Sequence, residues 1–361
     1  MVVKPKRLQA IDVARGLSVI IMIMVHTLWM YGDVATQGET LFGTIIHILG
    51  KGTAAFLVAM GISYVLSRDQ SIIGTLKRGF YTLGLGYMMN ALKFVVPISV
   101  FNTMPENFIE AYAWSSPLSL SQLHYLFLTG DILQLAGLSL IFIAFIGHFI
   151  KNKWGVFALG LIMIFSSKLV SGLRLDIPGV DYFLDLLWGN QYNVYFPLFP
   201  WMACILFGLF IGMAYKEREY DQVFLYRSLR LSGIAMMLIG AGLCFYDFNY
   251  HFADFFHLGP GGAIYLMGFT AFAYWGIDWI IRHTKPNRFY ALLQYCSQRV
   301  TSMYIIQWVL ICWGMGVFGY QTFSTLGVIA LIPLFIVLTF LVQYVKDKMP
   351  HFRSMLTKRA T

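Results

Sequence analysis

Long apolar runs dominate this chain and restrict it to one kind of fold. Ten of them are long enough to cross a bilayer as helices, at about 1.5 Å per residue. They lie at 10–31, 42–67, 74–101, 123–150, 154–172, 195–215, 229–247, 261–282, 295–319 and 325–345. The alternating pattern of barrel strands is absent, and in lipid only helices and closed barrels satisfy the backbone. The sequence predicts an all-α, polytopic membrane bundle of about ten transmembrane helices, with residues 1–361 forming a single domain.

Charged side chains are rare, and their distribution predicts the side that each loop faces. Only 12% of the residues are charged, against about 25% in soluble proteins. Twenty of the 26 Lys and Arg residues fall in alternate loops, at 1–9, 68–78, 151–153, 216–230, 282–288 and beyond 345. By the positive-inside rule these loops and both termini are cytoplasmic. The net charge of +9 therefore marks the cytoplasmic side and predicts no nucleic-acid partner.

Two outer loops, 102–122 and 173–194, are long enough to fold over a site. The second is either a partly helical cap or a re-entrant eleventh segment. No phosphate-loop or Gly-x-Ser-x-Gly motif of soluble enzymes occurs. The four cysteines lie in apolar runs and have neither disulfide nor metal-ligand spacing: Cys204, Cys244, Cys296 and Cys312. We therefore expect no metal cofactor.

The first apolar run carries three ionisable side chains on one helix face. Asp12 and Arg15 are three residues apart and can neutralise each other. His26 lies three turns beyond Arg15, about 16 Å further along the axis. Such groups are costly in lipid and usually face a cavity or a partner. Two interpretations stay open: a functional path, or a structural pair in which Arg15 and Asp12 anchor the helix. The run is too long for a signal peptide, so we expect a retained helix.

Two further apolar runs place pairs of polar side chains in their outer halves. His47 and Lys51 are one turn apart in the second run, where they form either a proton relay or a structural pair. His124 and Asp131 are two turns apart on one face of the fourth run, with Gln134 one turn deeper. We expect His124 to lie at the interface.

The third and ninth runs add three more polar side chains. Lys93 lies in the outer half of the third run, and we expect it to extend to the headgroups. Arg299 lies near the inner end of the ninth run, with Gln307 deeper. Glutamines at such depth, Gln134 included, are expected to form interhelical hydrogen bonds.

Five stretches, in order, resemble segments of one family. Arg7-Leu-Gln-Ala-Ile-Asp12-Val-Ala-Arg15-Gly16, followed by aliphatic residues and His26, is the most specific. It resembles the first span of the transmembrane acyltransferase superfamily, in both the heparan-alpha-glucosaminide N-acetyltransferase and acyltransferase-3 branches, where ten residues separate an arginine from a histidine. The stretch from Gly52 to Ser63 is similar to the second span. Weaker similarities lie at 131–138, at 196–201 (as in bacterial members) and at 302–308.

The resemblance implies an acetyl-CoA-dependent acyltransferase of the bacterial inner membrane. It would move an acetyl group from cytosolic acetyl-CoA to a hydroxyl or amine of an extracytoplasmic acceptor such as a glycan. In the lysosomal branch the catalytic histidine lies in the loop after the first span, and an asparagine stands at the place of His26. The loop 31–41 has no histidine here, so the base implied is His26, with His47 in reserve. Gln307 stands where many members have histidine, which leaves it a hydrogen-bonding role.

The resemblance and the depths of the polar groups together assign roles to ten residues. The catalytic group comprises His26, His47 and Asp131; the CoA-binding group Arg15, Arg299 and Lys51; the orienting group Asp12, Gln134, Gln307 and His124. Lys51 or a backbone amide would stabilise the oxyanion. The competing function is a solute or proton-coupled transporter that uses the same polar stripe. The sequence leaves open the acceptor, the acyl chain length, whether transfer is direct or passes through an acylated His26, and whether the chain acts as a homodimer.

Overall fold

Helices make up nearly all regular structure in the computed structural model, which describes residues 7–177 and 179–359. In chain order they are α1 (Gln9–Tyr31), α2 (Val34–Gly38), α3 (Leu41–Gly50), α4 (Thr53–Val65), α5 (Ile72–Asn90), a π-helix (Ala91–Val95), α6 (Val96–Ser99), α7 (Glu106–Glu110), α8 (Leu120–Phe127), α9 (Ile132–Phe149), α10 (Lys153–Val170), α11 (Val180–Trp188), α12 (Leu198–Glu217), α13 (Gln222–Tyr246), α14 (Phe248–His251), α15 (Pro260–His283), α16 (Arg288–Gln298), α17 (Val300–Phe318) and α18 (Thr325–Arg359). The all-α prediction is confirmed. The first six and last two residues, and with them the predicted cytoplasmic termini, lie outside the described residues.

Within the described ranges, eight helical stretches are long and apolar enough to cross a membrane, which confirms a polytopic membrane protein. They are Gln9–Tyr31, Leu41–Val65, Lys153–Val170, Leu198–Glu217, Gln222–Tyr246, Pro260–His283, Val300–Phe318 and Thr325–Met349. The other two predicted spans differ. The run 74–101 comprises α5, the π-helix and α6, and the run 123–150 is divided between α8 and α9. Crossing by these two runs stays a prediction.

Two runs that the sequence predicts as continuous helices are interrupted. Between α3 and α4 the chain turns at Lys51 and Gly52, where flanking glycines relax the backbone. The predicted shared helix face of His47 and Lys51 stays a prediction. A second break separates α8 from α9, because Asp131 caps α9 in an extended conformation. The predicted two-turn spacing of His124 and Asp131 on one helix is wrong for the same reason.

Backbone contacts divide the chain into two compact units. The first comprises the described residues of Met1–Arg15 together with Lys51–Met88 and Leu128–Ala291, and the second Gly16–Gly50, Met89–Phe127 and the described residues of Leu292–Thr361. Each unit draws on several separate stretches of sequence, so no single position divides them. The single domain stays a prediction.

The first unit is built around α12, whose side chains are buried almost throughout. Helix α4 crosses it where both helices have a glycine. A Cβ at Gly61 would lie 2.1 Å from the carbonyl oxygen of Ile205, and one at Gly208 2.1 Å from that of Val58. Only hydrogen fits at either position, so the two backbones approach closely and gain packing contacts in place of a hydrophobic driving force.

The second unit packs the later part of α1 against α17 and α18. Val25, Leu28 and Ile46 form a buried cluster with Val328 and Ile332 of α18. The hydroxyl of buried Tyr31 donates to the carbonyl oxygen of Ile311 in α17, at 2.6 Å. A phenol that is buried needs such a partner, and this bond fixes the end of α1 against α17.

The loop 173–194 contains the nine-residue helix α11. At 1.5 Å per residue that is less than half of a bilayer crossing. Within the loop, Arg174 forms a bidentate ion pair with Asp185, at 3.2 and 2.8 Å. Asp181 accepts from the backbone N–H of Leu175 at 2.7 Å. This internally bonded, partly helical segment matches the cap interpretation in its local structure, while its place over a site stays a prediction.

Candidate active site

The imidazole of His26 lies among three aromatic rings of the second unit. His26 is only 6% exposed. It stacks on Trp308 with ring centroids 3.8 Å apart and planes inclined by 23°. Tyr304 presents an edge at 5.9 Å, and Trp29 is tilted at 5.7 Å. Two of the rings come from α17 and one from α1. A titratable ring held in this way is fixed in orientation, as a general base must be.

Tyr304 and Trp308, which contact His26, lie on one face of α17. Tyr304, Gln307, Trp308 and Ile311 follow the i, i+3, i+4, i+7 spacing of a single helix face, and all four are buried. The contacts of Tyr304 and Trp308 with His26, and of Ile311 with Tyr31, show that this face packs on α1. Gln307 therefore lies on the side of α17 that faces the helix of His26.

The ammonium of Lys93 also contacts Trp308. Its Nζ lies 4.6 Å from the centroid of that ring and 4.8 Å from the centroid of Phe94. Lys93 is 1% exposed, so the predicted extension to the headgroups is wrong. The physical reason is local: Lys93 lies in the π-helix, whose extra residue per turn rotates the side chain away from the α-helical face. Such bulges are frequent at functional sites.

His47 is joined to the same aromatic group through Trp29. The indole Nε1 of Trp29 donates to His47 Nδ1 at 3.3 Å. An indole nitrogen only donates, so Nδ1 of His47 is the accepting nitrogen. The structure thus places both His26 and His47 near the Trp29 ring system, at centroid distances of 5.7 and 6.5 Å. His124 is exposed on α8.

Gln307 differs from its expected role. It is fully buried, and among the described residues neither its Nε2 nor its Oε1 has a hydrogen-bond partner. The predicted interhelical hydrogen bond of Gln307 is therefore wrong. The indole Nε1 of Trp308 is likewise buried without a partner in the described part of the chain.

In the first unit, Asp131 and Gln134 form a capping box at the start of α9. Asp131 accepts from the N–H of Ile132 at 2.7 Å, and Gln134 Oε1 accepts from the N–H of Asp131 at 3.2 Å. Gln134 thus bonds within its own helix terminus, and its predicted interhelical bond is wrong. Lys51 lies over the rings of Phe252 and Phe255, at 5.1 and 4.7 Å.

The charges near the start of α1 include an ion pair that the sequence does not predict. Asp12 forms an ion pair with Arg7, Nε to Oδ2 2.6 Å. Arg15 is half-buried, and its Nη1 lies 3.5 Å from the hydroxyl oxygen of Ser63 in α4. Arg7 therefore also bonds to the Asp12 carboxylate, and the neutralisation of Arg15 by Asp12 stays a prediction.

A polar cavity of about 590 Å³ opens beside these charges in the first unit. Its walls include Arg7, Tyr220, Tyr226, Asp278 and Arg282. Arg282 is paired with Asp278 at 2.7 Å. The sequence does not predict this site, although its residues border loops that the positive-inside rule assigns to the cytoplasm.

Arg299 belongs to a hydrogen-bond network of the second unit. Its Nε donates to Asp347 Oδ2 at 2.7 Å, and Tyr295 donates to the same oxygen at 2.8 Å. Gln343 donates to the other carboxylate oxygen, also at 2.8 Å. Asp347 therefore balances the charge of Arg299. The phosphate-binding role of Arg299 stays a prediction.

A family model described as heparan-alpha-glucosaminide N-acetyltransferase, catalytic, matches residues 7–250. The chain belongs to this family. No curated protein matches it. As a family member with eight described helical stretches that suit a membrane, the protein is a multi-pass membrane acetyltransferase. The matched range contains His26, His47 and Lys93, whereas the α17 residues that surround His26 lie beyond it.

Proposed function

We propose that this member of the heparan-alpha-glucosaminide N-acetyltransferase family transfers the acetyl group of acetyl-CoA to an amine or hydroxyl of an extracytoplasmic sugar, with His26 as general base. The observation that carries the proposal is the buried, stacked imidazole of His26. Burying an ionisable ring in a membrane helix is costly, and three aromatic rings hold it in place. His47, reached through Trp29, is the reserve base.

The chemistry required of His26 is proton transfer. Its neutral imidazole takes the proton of the acceptor N–H or O–H as that atom attacks the thioester carbonyl carbon. The indole face of Trp308, 3.8 Å away, stabilises the imidazolium that results, because aromatic faces attract cations. The proton then passes to the departing CoA sulfur. Donor and acceptor thus exchange one acetyl group for one proton.

The donor nucleotide would be held at the charged beginning of α1. Arg15 and His26 belong to one unbroken helix, and eleven residues give a rise of about 16 Å, a length suited to the pantetheine arm. Arg7 and Arg282 line the polar cavity of the first unit. Phosphate oxygens accept charge-assisted, bidentate bonds from guanidinium groups, and they would compete with Asp12 and Asp278 for these two arginines. Lys51 and Arg299 remain secondary candidates.

The deciding experiment compares His26→Ala with a histidine control. Purified protein in lipid nanodiscs receives acetyl-CoA and glucosamine, and released CoA thiol is measured. His26→Ala should lower kcat by about 10²–10⁴-fold while calorimetric affinity for CoA stays unchanged. His283→Ala, an exposed histidine at the end of α15, should leave kcat unchanged. Full activity in His26→Ala would exclude His26 as the base.

A further inference from the structure

Three buried polar atoms on α17 face the helix of His26 without a hydrogen bond from the described residues. They are Nε2 and Oε1 of Gln307 and Nε1 of Trp308. Gln307 is 0% exposed and Trp308 7%. Buried polar groups are nearly always paired, and an unpaired one calls for an explanation. Two adjacent residues with such atoms on one helix face fit a site that is completed by a ligand.

The residues that carry these atoms lie on the face of α17 that contacts the candidate base, His26. Trp308 is the ring on which His26 stacks, at 3.8 Å. Gln307 is three residues after Tyr304, whose ring also contacts His26, at 5.9 Å. The face from Gln307 through Tyr304 to Trp308 spans about 100° of the helix. The unpaired N–H groups therefore belong to the same face of α17 as the rings that hold the candidate base.

We propose that Gln307 Nε2–H and Trp308 Nε1–H form the oxyanion hole of the acetyl transfer. This inference rests on the proposed function and adds two catalytic residues that lie beyond the range matched by the family model. Both donors are neutral and fixed by packing, and both are shielded from water. Those are the properties that allow hydrogen bonds to stabilise charge that develops only in the transition state.

The step balances as follows. The acceptor nitrogen or oxygen bonds to the thioester carbonyl carbon, and its proton moves to His26. The carbonyl π electrons move onto oxygen, and the resulting oxyanion accepts hydrogen bonds from Gln307 and Trp308. The intermediate then re-forms the C=O bond and breaks the C–S bond. The CoA sulfur takes the proton from His26, so the products are the acetylated sugar and CoA thiol.

Lys93 has a positioning role in this arrangement. Its ammonium lies 4.6 Å from the centroid of the Trp308 ring. A cation beside an indole ring withdraws electron density and makes the N–H a stronger hydrogen-bond donor, while the attraction between them holds the ring in place. Through Lys93, the π-helix thereby strengthens and positions the indole N–H of Trp308.

The test uses the full-length protein in nanodiscs with acetyl-CoA as donor and glucosamine as acceptor. Gln307→Leu keeps the volume and removes both polar atoms. We expect kcat to fall by about 10²–10³-fold, the loss typical of one oxyanion donor, with the Kd for CoA unchanged. The Tm should hold or rise, because two buried unpaired atoms are replaced by an apolar group. Trp308→Phe keeps a ring beside His26, removes the N–H and should lower kcat at least about tenfold.

Two variants and one control sharpen the interpretation. Gln307→His restores a donor and should recover part of kcat, whereas Gln307→Glu, which offers a carboxylate to the oxyanion, should not. Ser139→Ala removes another buried hydroxyl without a described partner, in the first unit, and should leave kcat unchanged.

Three outcomes would overturn the inference. The first is wild-type kcat in Gln307→Leu. The second is a fall in kcat that follows a fall in Tm and is not recovered by Gln307→His, since that marks a purely structural residue. In both cases the proposed function stands, because the wild type still transfers acetyl. If the wild type releases no CoA with glucosamine or with a hydroxyl sugar, the proposed function fails and this inference falls with it.

Discussion

Single residues of this protein illustrate what a sequence can and cannot say about a membrane site. The sequence shows three polar residues within apolar runs: Arg15, His26 and Gln307. It does not show their partners, because Trp308 lies 282 positions after His26 and contacts it only through helix packing. Lys93 was expected at the headgroups and is buried beside Trp308. A rule based on depth gives no information on the direction in which a side chain points.

Arg15 offers the sharpest residue-scale prediction. If it binds a CoA phosphate, Arg15→Ala should weaken the affinity for acetyl-CoA by about 10–150-fold, the equivalent of a charge-assisted bond of about 1.5–3 kcal/mol. Titration calorimetry on the nanodisc protein measures this. The matched control is Ser63→Ala, which removes the hydroxyl near Arg15 and keeps the guanidinium. Unchanged affinity together with a lowered Tm in Arg15→Ala would identify a structural arginine.

At the scale of elements, the ends of helices were the least predictable part of the fold. The capping box Asp131-x-x-Gln134 is a known helix-start signal, and it begins α9. The apolar run 123–150 continues through this cap, so hydropathy alone predicts one helix there. The sequence assigns Asp131 to the catalytic group and Gln134 to the orienting group. Asp131 and Gln134 bond to the backbone at the start of α9. The structure therefore supports a catalytic role for these two residues less than it does for His26.

The segment between α13 and α15 has a charge pair that predicts a pH dependence. His257 Nδ1 lies 2.7 Å from Asp254, and its Nε2 lies 3.0 Å from the carbonyl oxygen of Val194. Both ring nitrogens therefore face acceptor oxygens. The hydrogen bond from His257 lowers the pKa of Asp254 to about 2, below its ordinary value of about 3.9.

Because the pKa of Asp254 is lower in the folded chain, its stabilisation is fully present above about pH 4 and is lost as pH falls toward 2. The backbone N–H groups of Phe256 and His257 donate to Asp254, so their hydrogen exchange reports on this pair. We expect their protection, compared with Asp254→Asn at the same pH, to be larger at pH 5 and to approach that of the variant near pH 2. A difference that is constant from pH 5 to 2 would contradict the assignment.

At the scale of the whole molecule, the membrane class follows from the sequence alone, whereas the number of crossings does not. Eight described stretches qualify by length and apolarity. Two of the ten predicted runs do not qualify, and they follow one another in the chain: 74–101 and 123–150. If both cross, the loop between them is extracytoplasmic. If neither crosses, that loop is cytoplasmic, and every other loop keeps its side. Charge counting in the remaining loops therefore cannot separate eight crossings from ten.

Glu110, exposed in the loop between these two runs, decides the question. A Glu110→Cys variant should react with a membrane-impermeant maleimide in intact cells if the chain crosses ten times, and only after permeabilisation if it crosses eight times. Asp176→Cys and Glu219→Cys serve as outer and inner references, since both predicted topologies agree there. Cys204, Cys296 and Cys312 are buried, so Cys244→Ser suffices to remove the accessible native thiol. Because loop 102–122 has no Lys or Arg, unlike the alternate loops, the positive-inside rule predicts ten crossings and labelling of Glu110→Cys from outside.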